Sequence, residues 1–288
     1  MSKQDCCGPR GGAPAGSRAS EEQHDTHRQK VRGAYAKVAR ANDQRVGIEA
    51  GCCGVSDDAR INQLISTRLG YSEEDLSKAP AGADMGLGCG NPKAIAALKP
   101  GEVVVDLGAG GGFDCFLAAH EVGESGRVIG VDMTPDMLSR ARANADKGGF
   151  RNVEFRLGEI EHLPVADNTA DVILSNCVIN LSPNKAQVFK EAFRVLKPGG
   201  RLAISDVVAT AELPDAMRND PALVAGCMGG AALIDELEKM IEAAGFTDVS
   251  IQPRDESKTF IRDWAPDHPV TDYVLSATIE GRKPKGCC

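Results

Sequence analysis

The 288-residue sequence predicts an α/β fold built on a doubly wound sheet, mostly parallel with an antiparallel edge. Three observations support this prediction. Short β-branched runs alternate with helical segments through the middle of the chain, a glycine-rich turn joins the first run to a helix, and two further runs follow the last amphipathic helix. Alternation of this kind is typical of strand–helix–strand units, whose strands are parallel.

Five strands are predicted in the alternating part, which we place at residues 93–208. They are EVVVDL (102–107), RVIGVD (127–132), NVEFRL (152–157), DVILSN (171–176) and GRLAISDV (200–207). The helix after the second strand has clear boundaries, because Thr134 can cap it, Pro135 suits its first turn and Gly148-Gly149 ends it. A later helix, KAQVFKEAFRVL (185–196), carries an apolar stripe and ends before a PGG turn.

The region before the sheet divides into two parts. Residues 1–28 contain almost no large apolar side chain and are predicted to form a disordered tail. Residues 29–92 are predicted to be an N-terminal helical segment, interrupted by the loop GIEAGCCGV, which carries Cys52 and Cys53. Within this segment, DDARINQLISTRLG presents one apolar face, formed by Ile61, Leu64, Ile65 and Leu69.

After the fifth strand the alternation stops. Residues 209–288 are predicted to comprise an irregular, partly helical insertion and a smaller C-terminal region. An amphipathic helix, LIDELEKMIEAAGF, and two closing strands, FTDVSIQP and DYVLSATIEG, belong to this part. The chain is predicted to end in a flexible tail with a pair of cysteines, Cys287 and Cys288.

Composition excludes several classes of function. The net charge of −8 argues against nucleic acid as a partner, because binding to phosphates needs a basic face. No apolar run is long enough to cross a membrane, and the N-terminus has no signal-peptide core, so we expect a cytoplasmic protein. Thiols stay reduced in that compartment, and ten cysteines there indicate metal, metalloid or redox chemistry rather than a disulfide framework.

A nucleotide-type cofactor is predicted at the ends of the first strands. The first strand runs into the turn DLGAGGG, and the second ends in an acidic residue that can accept hydrogen bonds from ribose hydroxyls. The turn differs from the G-x-G-x-x-G pattern of NAD enzymes, and RVLKPGGRLAISD resembles the signature of class I methyltransferases. That resemblance implies a Rossmann-like class I methyltransferase fold with S-adenosylmethionine as cofactor. The predicted binding residues are Asp106, Gly108, Gly110, Gly112, Asp132, Met133, Glu159, Ile160 and Asn176.

Three cysteines are expected near this cofactor. Cys89 lies in GLGCGNP, Cys177 in LSNCVINL directly after the fourth strand, and Cys227 in AGCMGGA within the insertion. Each segment is expected at the rim where such a domain holds its cofactor. Soft thiolates prefer soft centres, so thiols beside a methyl donor suggest a thiophilic methyl acceptor, of which arsenic(III) is the leading candidate.

The motifs GLGCGNP, DLGAGGGFDC, VDMTPDML, SNCVINLSP and AGCMGGA, in this order, resemble the arsenite methyltransferase family from about Ala50 to Glu280. The resemblance implies an enzyme that methylates As(III), held by Cys89, Cys177 and Cys227. It also implies a fourth cysteine that pairs with Cys89 in a redox step, and this chain offers both Cys52 and Cys53. A thiol reductant, thioredoxin or glutathione, is implied in the same way.

Two other functions are compatible with the sequence. The chain could be a class I methyltransferase for a small organic acceptor such as a quinone, or a non-catalytic thiol protein that sequesters metalloid. A structural zinc site is disfavoured because paired C-x₂-C knuckles are absent from the sequence. Cys115 is expected to be a small buried residue, and the terminal pairs, which include Cys6 and Cys7, either deliver metalloid or are incidental. The number of methyl groups transferred and the oligomeric state stay open.

Overall fold

The computed structural model describes residues 15–41 and 59–286, and seven strands organise them into one sheet. In chain order the strands are β1 (Val103–Leu107), β2 (Arg127–Asp132), β3 (Val153–Leu157), β4 (Ala170–Asn176), β5 (Leu196–Ala209), β6 (Thr247–Arg254) and β7 (Val274–Arg282). Their order across the sheet is β3-β2-β1-β4-β5-β7-β6. Strands β1 to β5 are parallel, and β7 runs antiparallel between β5 and β6. The predicted fold class is confirmed.

The described helices cover both faces of the sheet. They are α1 (Ala15–Ala41), α2 (Ala59–Arg68), α3 (Glu73–Lys78), α4 (Pro92–Ala96), α5 (Phe113–Val122), α6 (Pro135–Gly148), α7 (Lys185–Val195), α8 (Asp215–Arg218), α9 (Pro221–Ala225), α10 (Ile234–Ala243) and α11 (Lys258–Trp264). One apolar core joins the sheet to α7 and α10, and a second joins the opposite face to α4, α5 and α6. Successive β1 residues alternate between these cores, as the two-residue period of a strand requires. None of the described helices is long and apolar enough to span a membrane.

Strand β5 differs most from its prediction. It begins at Leu196 rather than at residue 200, and its pairing with β4 shifts between Ala170 and Val172. The PGG sequence therefore lies inside the strand, at the shift in its register with β4. The long pairing of β5 with β7 follows this shift. Helix α6 begins and ends as predicted. However, Thr134 caps it without a side-chain hydrogen bond to the helix, because its hydroxyl hydrogen-bonds to the Asp132 carboxylate. Its backbone N–H donates to the same carboxylate at 2.7 Å.

The prediction of a disordered tail is wrong for residues 15–28, which form the first half of α1. Contacts with distant segments hold this half in place. His27 Nε2 lies 3.0 Å from the carbonyl oxygen of Leu181, and Arg28 forms an ion pair with Glu159 at 3.3 Å. A composition argument misses such contacts because their partners lie more than a hundred residues away. Residues 1–14 lie outside the described residues.

The apolar face predicted for α2 is buried in part only. Leu69, just after the helix, is buried, whereas Ile61 is 43% and Leu64 is 64% exposed. The helix instead turns Ser66 inward, where the hydroxyl donates to the Asp84 carboxylate at 2.9 Å. This polar contact, rather than the apolar pattern, therefore determines which side of α2 faces the protein.

Candidate active site

A cavity opens at the edge of the sheet where β1, β2 and β4 end. The space between its walls, counted together with the solvent of its open mouth, is about 1090 Å³. The walls come from the loops after β1, β2, β3 and β4, from residues 83–88, and from the inner face of α1. Ligands of open α/β sheets bind at this edge.

The glycine-rich loop after β1 forms the floor of the cavity. Gly108 and Gly110 line it, as predicted, and Asp132 holds the loop by accepting a hydrogen bond from the Gly110 N–H at 3.0 Å. Gly112 does not line the cavity. A Cβ there would lie 2.7 Å from the Phe116 ring, so this glycine permits close packing of α5. The second Asp132 oxygen accepts from the Thr134 N–H, just before α6, and the oxygen that accepts from Gly110 keeps a lone pair for a ligand.

The cavity is strongly acidic. Five carboxyl side chains line it, and within the described part of the chain one cationic side chain, Arg28, faces them; the five are Asp84, Asp106, Asp114, Asp132 and Glu161. S-adenosylmethionine carries two positively charged groups, a sulfonium and an ammonium, and one negatively charged carboxylate. A dinucleotide carries negatively charged phosphates instead. Opposite charges at short range attract strongly in such surroundings. The lining therefore fits the methyl donor and opposes a dinucleotide.

Asn176, at the end of β4, connects the cofactor side to the segment of Cys89. Its Oδ1 accepts from the Cys89 N–H at 3.0 Å, and its Nδ2 lies 3.1 Å from an Asp114 oxygen and 3.0 Å from the Gly90 carbonyl oxygen. The Tyr71 hydroxyl donates to the other Asp114 oxygen at 2.6 Å. Burial raises the pKa of Asp114 to about 6, despite these hydrogen bonds. One side chain thus connects the cofactor end of the cavity to the backbone of Cys89.

The turn after β3 differs from the prediction. Ile160 lines the cavity, but Glu159 does not, because its carboxylate pairs with Arg28 at 3.3 Å and Arg32 at 3.2 Å. The acidic residue that does line the cavity is Glu161, which is buried and accepts a hydrogen bond from the Ser182 hydroxyl at 2.7 Å. Asp106 and Met133 line it as predicted.

The three predicted cysteines lie together at the end of the cavity. The Sγ atoms of Cys89 and Cys177 and a carboxylate oxygen of Asp206 lie within 4.8 Å of one another. Cys227 donates from its Sγ to the Cys177 carbonyl oxygen at 2.6 Å and also hydrogen-bonds to the Cys177 thiol. All three are buried thiols in one apolar cluster, and Cys177 alone of the three lines the cavity.

The backbone at two of these cysteines is strained. Cys177 has a φ of 58° and Cys227 a φ of 63°, in the left-handed region that side chains other than glycine rarely adopt. Such strain costs of order 1–3 kcal/mol per residue and clusters at functional sites. The Cys227 loop also passes very close to its neighbour, since a Cβ at Gly230 would lie 2.2 Å from the Asn180 carbonyl oxygen. The small residues after Cys227 therefore permit the approach that brings it to Cys177.

The surroundings of Cys177 and Cys227 keep these two thiols protonated. The Cys177 pKa is lowered by the hydrogen bond from Cys227, but the hydrogen bond with Cys89 and burial raise it well above the ordinary value. The Cys227 pKa is also raised, first by the hydrogen bond with Cys177 and then by burial. Asp206 adds negative charge nearby, although burial raises its own pKa to about 6. Its carboxylate accepts from the Ile179 N–H at 2.9 Å and so supports the turn after Cys177.

Some residues of the site were not predicted, and some predicted residues lie outside the part of the chain that the structure describes. Asp114 in the first turn of α5, Asp206 at the end of β5, and the inner face of α1 were missed. The strand-end position of Asp206 and the GGFDC context of Asp114 were available signals. Cys115 is fully buried, and its thiol donates to Asp106 at 3.1 Å. Cys52, Cys53 and the terminal pairs Cys6, Cys7, Cys287 and Cys288 lie outside the described residues.

A family model described as a methyltransferase domain matches residues 98–245, which include β1 to β5. The fold has the parallel sheet, the antiparallel edge and the glycine-rich loop that the class I resemblance implies. The chain therefore belongs to the class I methyltransferase family.

Within this family the chain is similar to arsenite methyltransferases. It is 54% identical to the one from Halobacterium salinarum, over 89% of this chain and 66% of that protein. It is 49% identical to the one from Aquipseudomonas alcaligenes, over 56% of this chain and 48% of that protein. The crystal structure of an arsenic(III) S-adenosylmethionine methyltransferase from Chlamydomonas reinhardtii matches with a TM-score of 0.56 and 36% identity, over 77% of this chain and 73% of that one. The resemblance that the motifs predict is confirmed, and the chain spans less than two thirds of the length of these two curated relatives.

Proposed function

We propose that this protein is an arsenite methyltransferase, which transfers methyl groups from S-adenosylmethionine to trivalent arsenic held by Cys89, Cys177 and Cys227. The observation that carries the proposal is the cluster of three buried thiols at the end of an acidic cavity, with Cys177 at the boundary. The similarity to arsenite methyltransferases supports the same function. Detoxification of arsenic is the corresponding role.

The protonated state of the thiols suits arsenite as substrate. Arsenite at neutral pH is As(OH)₃, and each thiol replaces one hydroxyl, so that an As–S bond forms while the thiol proton leaves with the hydroxyl as water. Three such exchanges release three waters and no net proton. A zinc ion would require three thiolates, which cost more to form where burial raises their pKa. The thiol cluster therefore favours a neutral hydroxide of a thiophilic element.

Positioning is the main contribution of the protein to the reaction. When bound, S-adenosylmethionine supplies an electrophilic methyl group on a positively charged sulfur. Asp132 would hold the ribose, Gly108 and Gly110 would approach the methionine part, and Ile160 and Met133 would pack on the adenine. Arsenic bonded to three sulfurs keeps a lone pair, so the acceptor has no proton to remove and needs no general base.

Two further parts of the proposal follow from the resemblance. Transfer of the methyl group to the arsenic lone pair leaves pentavalent arsenic, and Cys89 with either Cys52 or Cys53 returns it to the trivalent state by giving up two electrons and forming a disulfide. Thioredoxin or glutathione then reduces that disulfide to the two thiols. Such a cycle requires a reducing environment, so we propose a cytoplasmic location.

Single substitutions of the cysteines test the proposal. Cys177→Ser or Cys227→Ser replaces a soft donor with a hydroxyl and should lower arsenite methylation by at least about two orders of magnitude. Cys115→Ser is the matched control, because Cys115 is equally buried but lies outside the cluster. The measurements are arsenic speciation by mass spectrometry, S-adenosylmethionine affinity by calorimetry, and circular dichroism of each variant.

The outcomes separate the candidate functions. Wild-type protein that binds S-adenosylmethionine without methylating arsenite would point to an organic acceptor. Protein that binds arsenite but not the donor would be a sequestering protein. Substantial arsenite methylation by well-folded Cys177→Ser would contradict the proposed arsenic site.

A further inference from the structure

Helix α1 contributes to both halves of the site. Its inner face presents Arg28, Val31 and Tyr35 to the cavity. Arg28 lies on the side of Glu159 and Glu161, at the cofactor end. Val31 is buried in the apolar cluster of the three cysteines, and Tyr35 packs against the same cluster. The helix thus covers the cavity from the cofactor end to the thiols.

Tyr35 reaches the loop of Cys227 with its hydroxyl. The hydroxyl donates to the Ala225 carbonyl oxygen at 3.1 Å, and it also lies within hydrogen-bonding reach of the Cys227 thiol. Ala225 ends α9, two residues before Cys227. One hydroxyl therefore has two acceptor positions on the loop that carries the third thiol.

The hydrogen bonds of Cys227 must change when arsenic binds. As a thiol, Cys227 donates to the Cys177 carbonyl oxygen at 2.6 Å, which tethers a residue with a left-handed backbone. Exchange with an arsenic hydroxyl forms the S–As bond, and the thiol proton leaves with that hydroxyl as water. The sulfur then has no proton to donate, and its lone pairs face the carbonyl oxygen. The tether is lost at the moment when the sulfur must keep its position.

We propose that Tyr35 is a positioning residue of the thiol cluster, whose hydroxyl donates to Cys227 Sγ once arsenic has replaced the thiol proton. Other groups near Cys227 are less suited. The Cys177 carbonyl and the Asp206 carboxylate are acceptors, and the Lys185 ammonium donates to the Ser182 carbonyl oxygen at 3.4 Å. The inference rests on the proposed function, since it requires arsenic at these cysteines.

The first test compares two tyrosines of one cluster. Tyr35→Phe removes only the hydroxyl, and Tyr273→Phe is the matched control, because Tyr273 packs against the same apolar cluster but does not line the cavity. Arsenite affinity is measured by equilibrium dialysis and by fluorescence of Trp264, the sole tryptophan, which also packs against this cluster. S-adenosylmethionine affinity is measured by calorimetry.

Tyr35→Phe is expected to raise the arsenite Kd and the KM for arsenite by about two- to tenfold, the effect of one hydrogen bond. The S-adenosylmethionine Kd should stay within about twofold, and Tyr273→Phe should change neither. Unchanged arsenite affinity of Tyr35→Phe would overturn the inference, as would an equal loss in Tyr273→Phe.

A double-mutant cycle tests whether Tyr35 acts through Cys227. If it does, adding Tyr35→Phe to Cys227→Ala should cause no further loss of arsenite affinity, because alanine offers the Tyr35 hydroxyl no acceptor. Additive losses would show that Tyr35 acts elsewhere and would contradict the proposal. Wild-type protein that fails to bind arsenite would instead remove the proposed function, so the two failures are distinguishable.

Discussion

Asn176→Ala is the substitution for which the structure predicts the widest effect. Asn176 accepts from the Cys89 N–H, and it donates toward Asp114, Gly90 and the Tyr71 hydroxyl, all within 3.0–3.1 Å. These contacts lie between the cofactor cavity and the thiol cluster. The truncation should therefore weaken binding of both substrates, although Asn176 is not itself an arsenic ligand.

The size of the effect follows from the groups that lose their partner. The buried Cys89 N–H is left without its acceptor, which costs about 1–3 kcal/mol. The Asp114 carboxylate and the Gly90 carbonyl each lose a donor, at about 0.5–1.5 kcal/mol per neutral hydrogen bond and more for the charged one. Allowing for relaxation, we expect a loss of about 2–4 kcal/mol in the free energy of unfolding. Both ligand affinities should fall about tenfold.

The matched control is Asn152→Ala. Asn152 donates to the carbonyl oxygens of Ala119 and Gly123 at the end of α5, at 3.1 and 3.0 Å, and does not line the cavity. Urea unfolding gives stability, and calorimetry with S-adenosylmethionine and with arsenite gives affinity. Asn152→Ala should lower stability alone. If Asn176→Ala also lowered stability alone, with both affinities within about twofold of wild type, the proposed connection between the two substrates would be wrong.

Three further predictions concern the carboxyl groups. Asp132→Ala should weaken S-adenosylmethionine binding by about 1.5–3 kcal/mol in calorimetry, because a charged acceptor and the anchor of Gly110 are lost together. Glu159→Ala should change that affinity by no more than about twofold, since its carboxylate pairs with Arg28 and Arg32 outside the cavity and such pairs contribute at most about 1 kcal/mol. Because burial raises the pKa of Asp114 to about 6, this carboxyl is ionised above that pH and protonated below it. Affinity for the cationic cofactor should fall as the pH drops through 6, and Asp114→Asn should flatten the profile.

The results that would contradict these predictions are specific. Unchanged cofactor affinity of Asp132→Ala would remove the ribose assignment. A loss in Glu159→Ala as large as that in Asp132→Ala would show that Glu159 contacts the cofactor, as the sequence predicts. A pH profile that is identical in wild type and Asp114→Asn would assign the titration to another group.

Local patterns predicted the sheet well. Strands β1 to β4 match their predicted bounds within one residue. Strands β1, β2 and β4 are short β-branched runs that are buried over most of their length, and β3 forms the edge of the sheet. The position of Cys177 followed from the same reasoning, since it comes directly after β4, at the edge where ligands bind. The local sequence was therefore enough to predict these features.

Long-range contacts were not predictable in this way. The first half of α1 depends on Leu181 and Glu159, which no local pattern connects to residues 15–28. Which of Glu159 and Glu161 lines the cavity depends on the turn after β3. The two residues flank Ile160, and the turn directs Glu159 to Arg28 and Glu161 to Ser182. The insertion that brings Cys227 to Cys177 likewise has no regular period.

The protonated state of the thiols allows a methyl donor and cysteines to lie in one acidic cavity without reacting with each other. A methyl donor with a positively charged sulfur reacts with any thiolate within reach, and a thiolate, not a thiol, is the nucleophile. Burial and the hydrogen bonds among the cysteines raise the pKa values of Cys177 and Cys227, so that these groups stay protonated and poorly nucleophilic at neutral pH. The Asp206 carboxylate favours the same protonated state, since negative charge opposes loss of a proton. Under the proposed function, exchange with As(OH)₃ needs no prior ionisation, so arsenic would bind to cysteines that the donor leaves unmodified.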